Sequence, residues 1–377
     1  MEFDAIVLGL GGMGSATVDQ LTQRGLKVLG FDRQDPPHTL GSTHGKSRII
    51  RLAYMEHPAY VPLLHRTYEL WRELEHASGT DLLQITGGLM IGAEDSLAVA
   101  GSHATALEHG IPHELMDAAG VAARFPAFQM PADYVALLDG SAGVLNPEAC
   151  IEASLARARS AGADLRSNTV VENWRSKDAG VAVEADGEVF LGKQLIITAG
   201  AWTGQLLPDL HPHLTVTREV MHWFEPLGAI EDFAASNFPI YFWEPPVGDI
   251  FYGFPALDGP DGGVKVAIHH GGGPTSPDTV SREIEDSDIE RVRACLESTI
   301  PALNGRWIEG AVCLYTNTPD AHFVLGTHPQ HANVHLAAGL SGHGFKFASV
   351  VGEILADLAT KGAPSLPIDL FSPGRFA

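Results

Sequence analysis

The sequence predicts an α/β fold, in which a Rossmann-like parallel sheet carries an inserted α+β domain built on an antiparallel sheet. The short apolar segment 5–8, followed by a glycine-rich turn and a helical pattern, is typical of the first βαβ unit of a nucleotide-binding sheet. Apolar segments at 195–201 and 334–338 indicate that the chain returns to this sheet. The region 217–305 is rich in aromatic residues and prolines, which predicts antiparallel strands around an apolar pocket.

The glycine-rich turn predicts a dinucleotide site. It matches G-x-G-x-x-G, lies between an apolar strand and a helical pattern, and is followed after a second strand by Asp32. Such a turn lets backbone amides and a helix N-terminus face a pyrophosphate, while Asp32 can accept hydrogen bonds from both ribose hydroxyls and disfavours a 2′-phosphate. The residues of this predicted site are Gly9, Gly11, Gly12, Met13, Gly14 and Asp32.

The motif alone does not separate NAD from FAD, but the segment after it does. In NAD-binding domains the βαβ pattern usually continues at once, whereas residues 35–45 interrupt it with prolines, glycines and polar residues. This excursion is more typical of a two-domain flavoprotein of the glutathione-reductase type, whose cofactor is FAD. The predicted FAD-binding domain comprises 1–79, 146–216 and 309–377, and the predicted substrate domain comprises 80–145 and 217–308.

Composition argues against several classes of function. Among 377 residues, 46 Asp and Glu outnumber 24 Lys and Arg, and the net charge of -22 argues against binding to nucleic acid or anionic lipid. Cys150, Cys295 and Cys313 are too few for a disulfide framework or a zinc cluster, so no metal site is predicted. No signal peptide and no apolar segment of membrane-spanning length is recognisable, which predicts a cytoplasmic protein.

Two short segments carry charges that suit an anionic ligand. Lys46, Arg48 and Arg51 lie close together, and guanidinium groups commonly bind carboxylates or phosphates, although a solvated basic face is the commoner origin of such a cluster. The turn Ser341–Lys346 lies between a predicted strand and a predicted helix, so its amides would face electron-rich groups. An ordinary strand-to-helix connection explains that turn as well.

Three further residues carry reactive or basic groups. A predicted strand at 263–269 has Lys265 and His269 on one face. These side chains either contact a ligand in the pocket or face solvent, and the spacing leaves both possibilities open. Cys313 is a lone cysteine, and such residues are most often inert and buried.

Three motifs make the chain resemble the monomeric sarcosine oxidase family of FAD-dependent amine oxidases, which also includes N-methyltryptophan and sarcosine/pipecolate oxidases. The motifs are His44-Gly45-x-x-Arg48-x-Ile50-Arg51-x-Ala53-Tyr54, Cys313-x-Tyr315-Thr316-x-Thr318-Pro319-Asp320 and Ser341-Gly342-His343-Gly344-Phe345-Lys346-Phe347. The resemblance covers essentially the whole chain. It implies an FAD-dependent oxidase of secondary amino acids, which converts the N–C bond to an imine and reduces O2 to H2O2.

The resemblance implies roles for several residues near the flavin. Cys313 matches the cysteine that forms a thioether to the flavin, and Arg51 and Lys346 match the pair that binds the substrate carboxylate. Lys265 matches the lysine beside flavin N5 that promotes the reaction with O2, and Arg48 matches a second cation near the ring.

Other positions are predicted to line the substrate pocket or to contact FAD. His269, Tyr252 and Tyr315 match pocket residues, and Trp243 stands at a variable position on the substrate side, where it would narrow the site or stack on a bulkier substrate. The predicted catalytic residues are Lys265, Arg48 and His269. The remaining predicted FAD contacts are Ser42, Thr43, His44, Val171, Ala199, Gly200, Trp202, Gly342, Gly344 and Phe345, together with Arg48 and Lys346.

Several alternatives stay open on the sequence. A cyclic imino acid such as L-pipecolate or proline fits the same chemistry, and an FAD dehydrogenase that passes electrons to a protein acceptor would not need the O2 role of Lys265. An NAD dehydrogenase or a non-catalytic nucleotide-binding protein would share only the glycine turn. The predicted partners are a small amino acid and O2, with no nucleic acid and no membrane, and the acidic surface and the resemblance favour a monomer.

Overall fold

Two eight-stranded sheets and one three-stranded sheet organise the fold in a computed structural model, which describes residues 2–177, 180–210, 213–259 and 261–376. The strands of the first sheet are β1 (Glu2–Leu8), β2 (Val28–Phe31), β9 (Asp164–Arg166), β10 (Val171–Lys177), β11 (Gly180–Ala185), β12 (Glu188–Ile197), β18 (Val324–His328) and β19 (His331–Ala338). β1 runs parallel to β2 on one side and to β12 on the other, and β19 runs parallel to β12. This parallel part is the Rossmann-like sheet that the sequence predicts.

Helices pack on one face of the first sheet. They are α1 (Gly12–Gln23), α2 (Val61–Ser78), α5 (Pro147–Ser160) and α8 (Ala348–Lys361). α1 contacts both α5 and α8, and α8 contacts α2. Ala5 and Val7 of β1 join the core beneath these helices, whereas Ile6 and Leu8 join a separate core on the other face. Burial on both faces explains why the apolar segment 5–8 is continuous rather than alternating.

The second sheet is mostly antiparallel. In spatial order its strands are β17 (Trp307–Asn317), β13 (Thr215–Phe224), β16 (Val264–Ile268), β15 (Phe251–Gly253), β14 (Ile240–Glu244), β5 (Gly88–Ala93), β7 (Tyr134–Asp139) and β6 (His113–Asp117). β14 and β5 pair in parallel, and the other neighbours pair antiparallel. The helices α4 (Ala118–Arg124) and α7 (Asp286–Thr299) contact this sheet, and their apolar residues join its core.

A small third sheet joins three short segments from residues 48–145. It consists of β3 (Arg48–Ile50), β8 (Gly143–Leu145) and β4 (Leu83–Ile85), in that spatial order. Two short helices, α3 (Ser102–Glu108) and α6 (Thr203–Leu206), follow β5 and β12 along the chain. Across the described ranges, no helix is both long enough and apolar enough to cross a membrane.

The predicted α/β fold with an antiparallel second sheet is confirmed. The division into two domains stays a prediction, and one strand bears on its boundaries. β17 pairs with β13 along the length of both strands, so the predicted boundaries at 216 and 308 fall within a paired unit. Cys313 therefore lies on the second sheet, although the predicted boundary assigns it to the FAD-binding domain.

Candidate active site

One elongated cavity runs from the glycine turn after β1, past the second sheet, to the turn before α8. It opens at the carboxyl ends of β1, β2 and β12, which is the usual ligand site of a parallel α/β sheet. Most of the predicted site residues line this cavity. They are Gly9, Gly11, Gly12, Met13, Asp32, Ser42, Thr43, Arg48, Arg51, Val171, Ala199, Gly200, Trp202, Tyr252, His269, Cys313, Tyr315, Gly342, Gly344, Phe345 and Lys346.

Three glycines of the turn are needed for different reasons. Gly9 has a φ of 90°, and a Cβ there would lie 2.6 Å from the Thr198 carbonyl oxygen. Gly14 lets α1 pack closely against the turn, since a Cβ there would lie 1.7 Å from the Gly9 carbonyl oxygen. Gly11 differs from both, because a Cβ there would meet nothing within 4 Å and would stand in the open space of the cavity. A ligand explains the glycine at this third position.

The amino end of α1 and Asp32 fit the two polar parts of a dinucleotide. No side chain caps α1, so its first amides remain available, and the helix dipole favours an anion such as pyrophosphate. Asp32 accepts hydrogen bonds from the amides of Leu10 and Gln34 at 2.8 and 2.9 Å. These contacts fix a carboxylate that has about four lone-pair sites, so it can also accept from ribose hydroxyls.

Cys313 and Arg48 lie together in the same cavity. The Cys313 Sγ is 3.4 Å from the carbonyl oxygen of Ser42 and 3.8 Å from Arg48 Nη2. Arg48 is fixed because it donates to the carbonyl oxygens of Ser42 and Ser47, both at 2.8 Å. Burial raises the pKa of the Cys313 thiol, and the charges of Arg48 and Lys265 oppose this rise. A fixed cation beside a thiol favours the reactive thiolate.

Arg51 and Lys346 bring two buried positive charges to the cavity. Their exposed fractions are 3% and 5%. Arg51 Nη2 lies 2.8 and 2.9 Å from the two carboxylate oxygens of Glu56, and Lys346 Nζ donates to the His343 carbonyl oxygen at 2.7 Å. Burial and the Arg51 charge lower the pKa of Lys346 to about 7. Burial favours the neutral form of Glu56, but Arg51 and the other nearby cations hold its pKa at about 2.

Glu56 is a site residue that the sequence analysis missed. It lines the cavity and occupies the guanidinium group that the predicted substrate carboxylate needs. A carboxylate ligand must therefore share Arg51 with Glu56 or displace it. The only sequence signal is an acidic residue five positions after Arg51, and spacing does not show that the two meet.

Aromatic rings form one wall of the cavity. The hydroxyls of Tyr252 and Tyr315 are 3.5 Å apart, and the ring of His269 lies 5.4 Å from that of Phe242. The predicted position of Trp243 is wrong, because Trp243 does not line the cavity and packs in the core on the opposite face of the second sheet. Successive residues of a strand point to opposite faces, so Phe242 faces the cavity instead.

Three other predicted residues lie behind the cavity wall rather than in it. Lys265 Nζ donates to the carbonyl oxygens of Gly45 and Ser47 at 2.7 and 2.9 Å, and burial holds the Lys265 pKa well below its ordinary value. His44 is buried nearby, and Gly14 is a packing position. Their predicted roles toward the flavin stay predictions. No group of three potential metal ligands occurs in the part of the chain that the structure describes.

Comparison with protein-family profiles assigns the chain to a family. The profile described as DAO, FAD dependent oxidoreductase, matches residues 4–358. The chain belongs to this family. Two relatives align with the full length of this chain. The monomeric sarcosine oxidase of Streptomyces avermitilis is 45% identical, and the alignment covers 98% of that protein. The N-methyl-L-tryptophan oxidase of Citrobacter koseri is 36% identical, and the alignment covers 100% of that protein.

Solved structures of other proteins share the fold of this DAO-family chain. NikD, described as an unusual amino acid oxidase essential for nikkomycin biosynthesis, has a TM-score of 0.85 at 24% identity, covering 99% of this chain and 97% of NikD. The L-proline dehydrogenase of P. horikoshii has a TM-score of 0.86 at 22% identity, covering 100% and 98%. The family match to FAD dependent oxidoreductases, and not the shared fold, makes FAD the dinucleotide for which the turn, the α1 terminus and Asp32 are suited.

Gly11→Ala is expected to reduce FAD retention by at least about tenfold, because its Cβ would occupy space that the pyrophosphate needs while touching no protein atom. Flavin absorbance per purified chain measures this, and the melting temperature checks folding. Gly140→Ala is the matched control, since a Cβ there also meets nothing within 4 Å but lies outside the cavity. Full flavin content in Gly11→Ala would contradict this position for the pyrophosphate.

Proposed function

We propose that the protein is an FAD-dependent oxidase of secondary amino acids, with N-methylglycine or another N-methyl amino acid as substrate. One observation carries the proposal: two buried cations, Arg51 and Lys346, line the same cavity as the FAD-binding turn. A site with two cations suits a ligand that has a carboxylate. The names of the relatives at 45% and 36% identity support the substrate class.

The side chains of the cavity would bind and orient the substrate. Arg51 and Lys346 hold its carboxylate, which fixes the N–CH bond toward the flavin end of the cavity. Tyr252, Tyr315 and Phe242 cover the reacting carbon with apolar surface and limit the size of the group on nitrogen. When bound, FAD would supply the two-electron chemistry, in which the substrate loses a hydride from carbon and a proton from nitrogen, and two electrons and two protons convert O2 to H2O2.

A panel of amino acids tests the proposal. We expect N-methylglycine or a related N-methyl amino acid to consume O2 and to release one equivalent of H2O2 per turnover. L-Pipecolate and L-proline in the same panel test the cyclic alternative, in which the product is a ring imine. Absence of H2O2 from every secondary amino acid, under conditions in which the flavin is bound, would contradict an oxidase.

An FAD dehydrogenase is the second candidate, and Lys265 discriminates between the two. Its buried amino group donates to the Ser47 carbonyl oxygen, which also accepts from Arg48 of the cavity wall, and burial lowers its pKa. In its charged form, Lys265 would favour electron transfer to O2. We expect Lys265→Met to slow the reaction of the reduced protein with O2 at least about tenfold more than it slows reduction by substrate. Stopped-flow absorbance measures reduction by substrate and reoxidation by O2 separately. Lys193→Met, on the surface, is the control. Equal slowing of both steps in Lys265→Met would contradict a role of Lys265 in the reaction with O2.

We further propose that the flavin is bound covalently through Cys313, and that the protein is a cytoplasmic monomer. The position of Cys313 in the cavity beside Arg48 supports the first statement. The acidic net charge supports the monomeric state, because like charges on two copies of the chain repel each other. Sedimentation of the purified protein at micromolar concentration tests the oligomeric state.

A further inference from the structure

Tyr54 lies against both cations of the proposed carboxylate site. Its side chain is fully buried, and the guanidinium carbon of Arg51 lies 4.5 Å from the centre of its ring. Lys346 Nζ lies 5.3 Å from the same centre. Cations at such distances are attracted by the negative face of an aromatic ring. One ring therefore contributes to holding two like charges in the same small volume.

Two buried cations need such support, because they repel each other and have lost their hydration. Burial and the nearby Arg51 charge lower the pKa of Lys346 to about 7, so both disfavour its charged form. Glu56 offsets part of this cost, but it does so by occupying the Arg51 donors. An aromatic face stabilises a cation while leaving its N–H groups free for a ligand. Tyr54 thus favours the charged state that a carboxylate needs.

A hydrogen bond to His343 strengthens this effect of the Tyr54 ring. The Tyr54 hydroxyl lies 2.6 Å from His343 Nδ1. His343 Nε2 lies 3.0 Å from the carbonyl oxygen of Ala321, which can only accept, so Nε2 carries the hydrogen and Nδ1 is an acceptor. Tyr54 is therefore the donor. A phenol that donates to a good acceptor in a dry environment becomes more electron-rich, which increases its attraction for cations.

The charge states of both partners agree with this direction. Burial lowers the pKa of His343 to about 4 and raises the pKa of Tyr54 well above its ordinary value, so both are neutral at neutral pH. His343 also contacts Lys346 directly, since its backbone carbonyl accepts from Nζ at 2.7 Å. One residue thus fixes the ring through its side chain and the ammonium through its backbone.

We propose that Tyr54 and His343 are positioning residues, which hold Arg51 and Lys346 charged and correctly placed for the substrate carboxylate. The inference rests on the proposed function, because it takes that carboxylate to be the ligand of the two cations. A core role alone would require only the ring of Tyr54, whereas this role requires the hydroxyl and its acceptor.

Binding of methoxyacetate to the FAD-loaded protein tests the proposal. This anion has the carboxylate of N-methylglycine and an ether oxygen in place of the amine, so it can bind without losing hydrogen from an N–CH bond. We expect Tyr54→Phe to weaken binding roughly three- to tenfold, measured by flavin absorbance. The KM for the amino acid should rise by a similar factor with kcat within about twofold, since the carboxylate is held equally before and during the reaction.

Tyr60→Phe is the matched control. Tyr60 is also fully buried, and its ring lies 4.9 Å from the ring of Tyr54. Its hydroxyl pairs with a histidine, His322, as the Tyr54 hydroxyl does with His343. Unlike Tyr54, it has no cation over its ring among the described residues. Its methoxyacetate Kd should stay within about twofold of the unmutated protein. A second variant, His343→Gln, keeps the carbonyl that Lys346 uses, and we expect it to weaken binding as Tyr54→Phe does. Adding Tyr54→Phe to it should cost little more, because both changes remove one interaction.

Three results would overturn the proposal: unchanged methoxyacetate binding in Tyr54→Phe, unchanged binding in His343→Gln, or equal weakening in Tyr54→Phe and Tyr60→Phe. The last would reflect the loss of any buried phenol. Failure of the unmutated protein to bind methoxyacetate and to oxidise any secondary amino acid is a different result. It would overturn the proposed function, and this role with it.

Discussion

Cys313→Ala is expected to release all its flavin when the protein is denatured, whereas the unmutated protein should keep its yellow colour through acid precipitation. Cys313 lines the FAD cavity, and Cys150 and Cys295 do not. Forming a thioether to a flavin methyl group removes two hydrogens, which O2, already the acceptor in the proposed reaction, can take up. Without the sulfur, the contacts around the glycine turn and Asp32 hold FAD non-covalently. Flavin absorbance of pellet and supernatant measures the effect.

Cys150→Ala is the matched control for this experiment. Cys150 is as buried as Cys313 but lies on α5, outside the cavity, so its loss should leave the flavin attached. Flavin that stays with denatured Cys313→Ala would move the attachment to another residue. Flavin that leaves the unmutated protein on denaturation would rule out a covalent bond.

Arg51→Ala is expected to weaken carboxylate binding by about 2–3 kcal/mol, or roughly 30- to 150-fold. Two effects add. The variant loses a charge-assisted hydrogen-bond donor, and it leaves Glu56 as a buried negative charge beside the incoming carboxylate. The methoxyacetate Kd and the kcat/KM for the amino acid should change by similar factors. An unchanged Kd would mean that the carboxylate binds elsewhere.

Combining Arg51→Ala with Glu56→Gln separates these two effects. Removing the Glu56 charge should recover about tenfold of the lost affinity, because the remaining Lys346 then attracts the ligand without opposition. Glu56→Gln alone should bind methoxyacetate more tightly than the unmutated protein, since Arg51 is then free. A double variant no better than Arg51→Ala would show that Glu56 does not compete with the ligand.

The nucleotide end of the site could be predicted from sequence because its determinants are local. The strand, the turn, the helix and Asp32 follow one another within one βαβ unit. Gly9 and Gly14 meet backbone requirements that another residue type cannot meet, whereas Gly11 leaves space for a ligand. The alternation in β16 was also informative: Ala267 faces the side of Cys313 and Tyr315, whereas Val264 and Val266 join the opposite core.

The substrate end depended on information that spacing does not contain. Trp243 and Phe242 are adjacent aromatic residues, and which of them faces the cavity is set by the pairing of β14 with β5 and β15. Lys265 lies on the same face of its strand as Ala267, as the alternation predicts. Its Nζ is held behind the cavity wall because it donates to the carbonyl oxygens of Gly45 and Ser47, and spacing does not show where that backbone segment lies. The partnership of Arg51 with Glu56 is likewise made by the path of the loop after β3.

The pairing of β1 makes the cofactor site depend on contacts between distant parts of the sequence. β1 pairs with β2 after a short connection, but its other partner, β12, ends at Ile197, and the next parallel strand, β19, ends at Ala338. The cavity also needs Lys346, which follows β19. Because such distant pairings form slowly, we expect the cofactor cavity to be completed late in folding, after β1 has paired with β2.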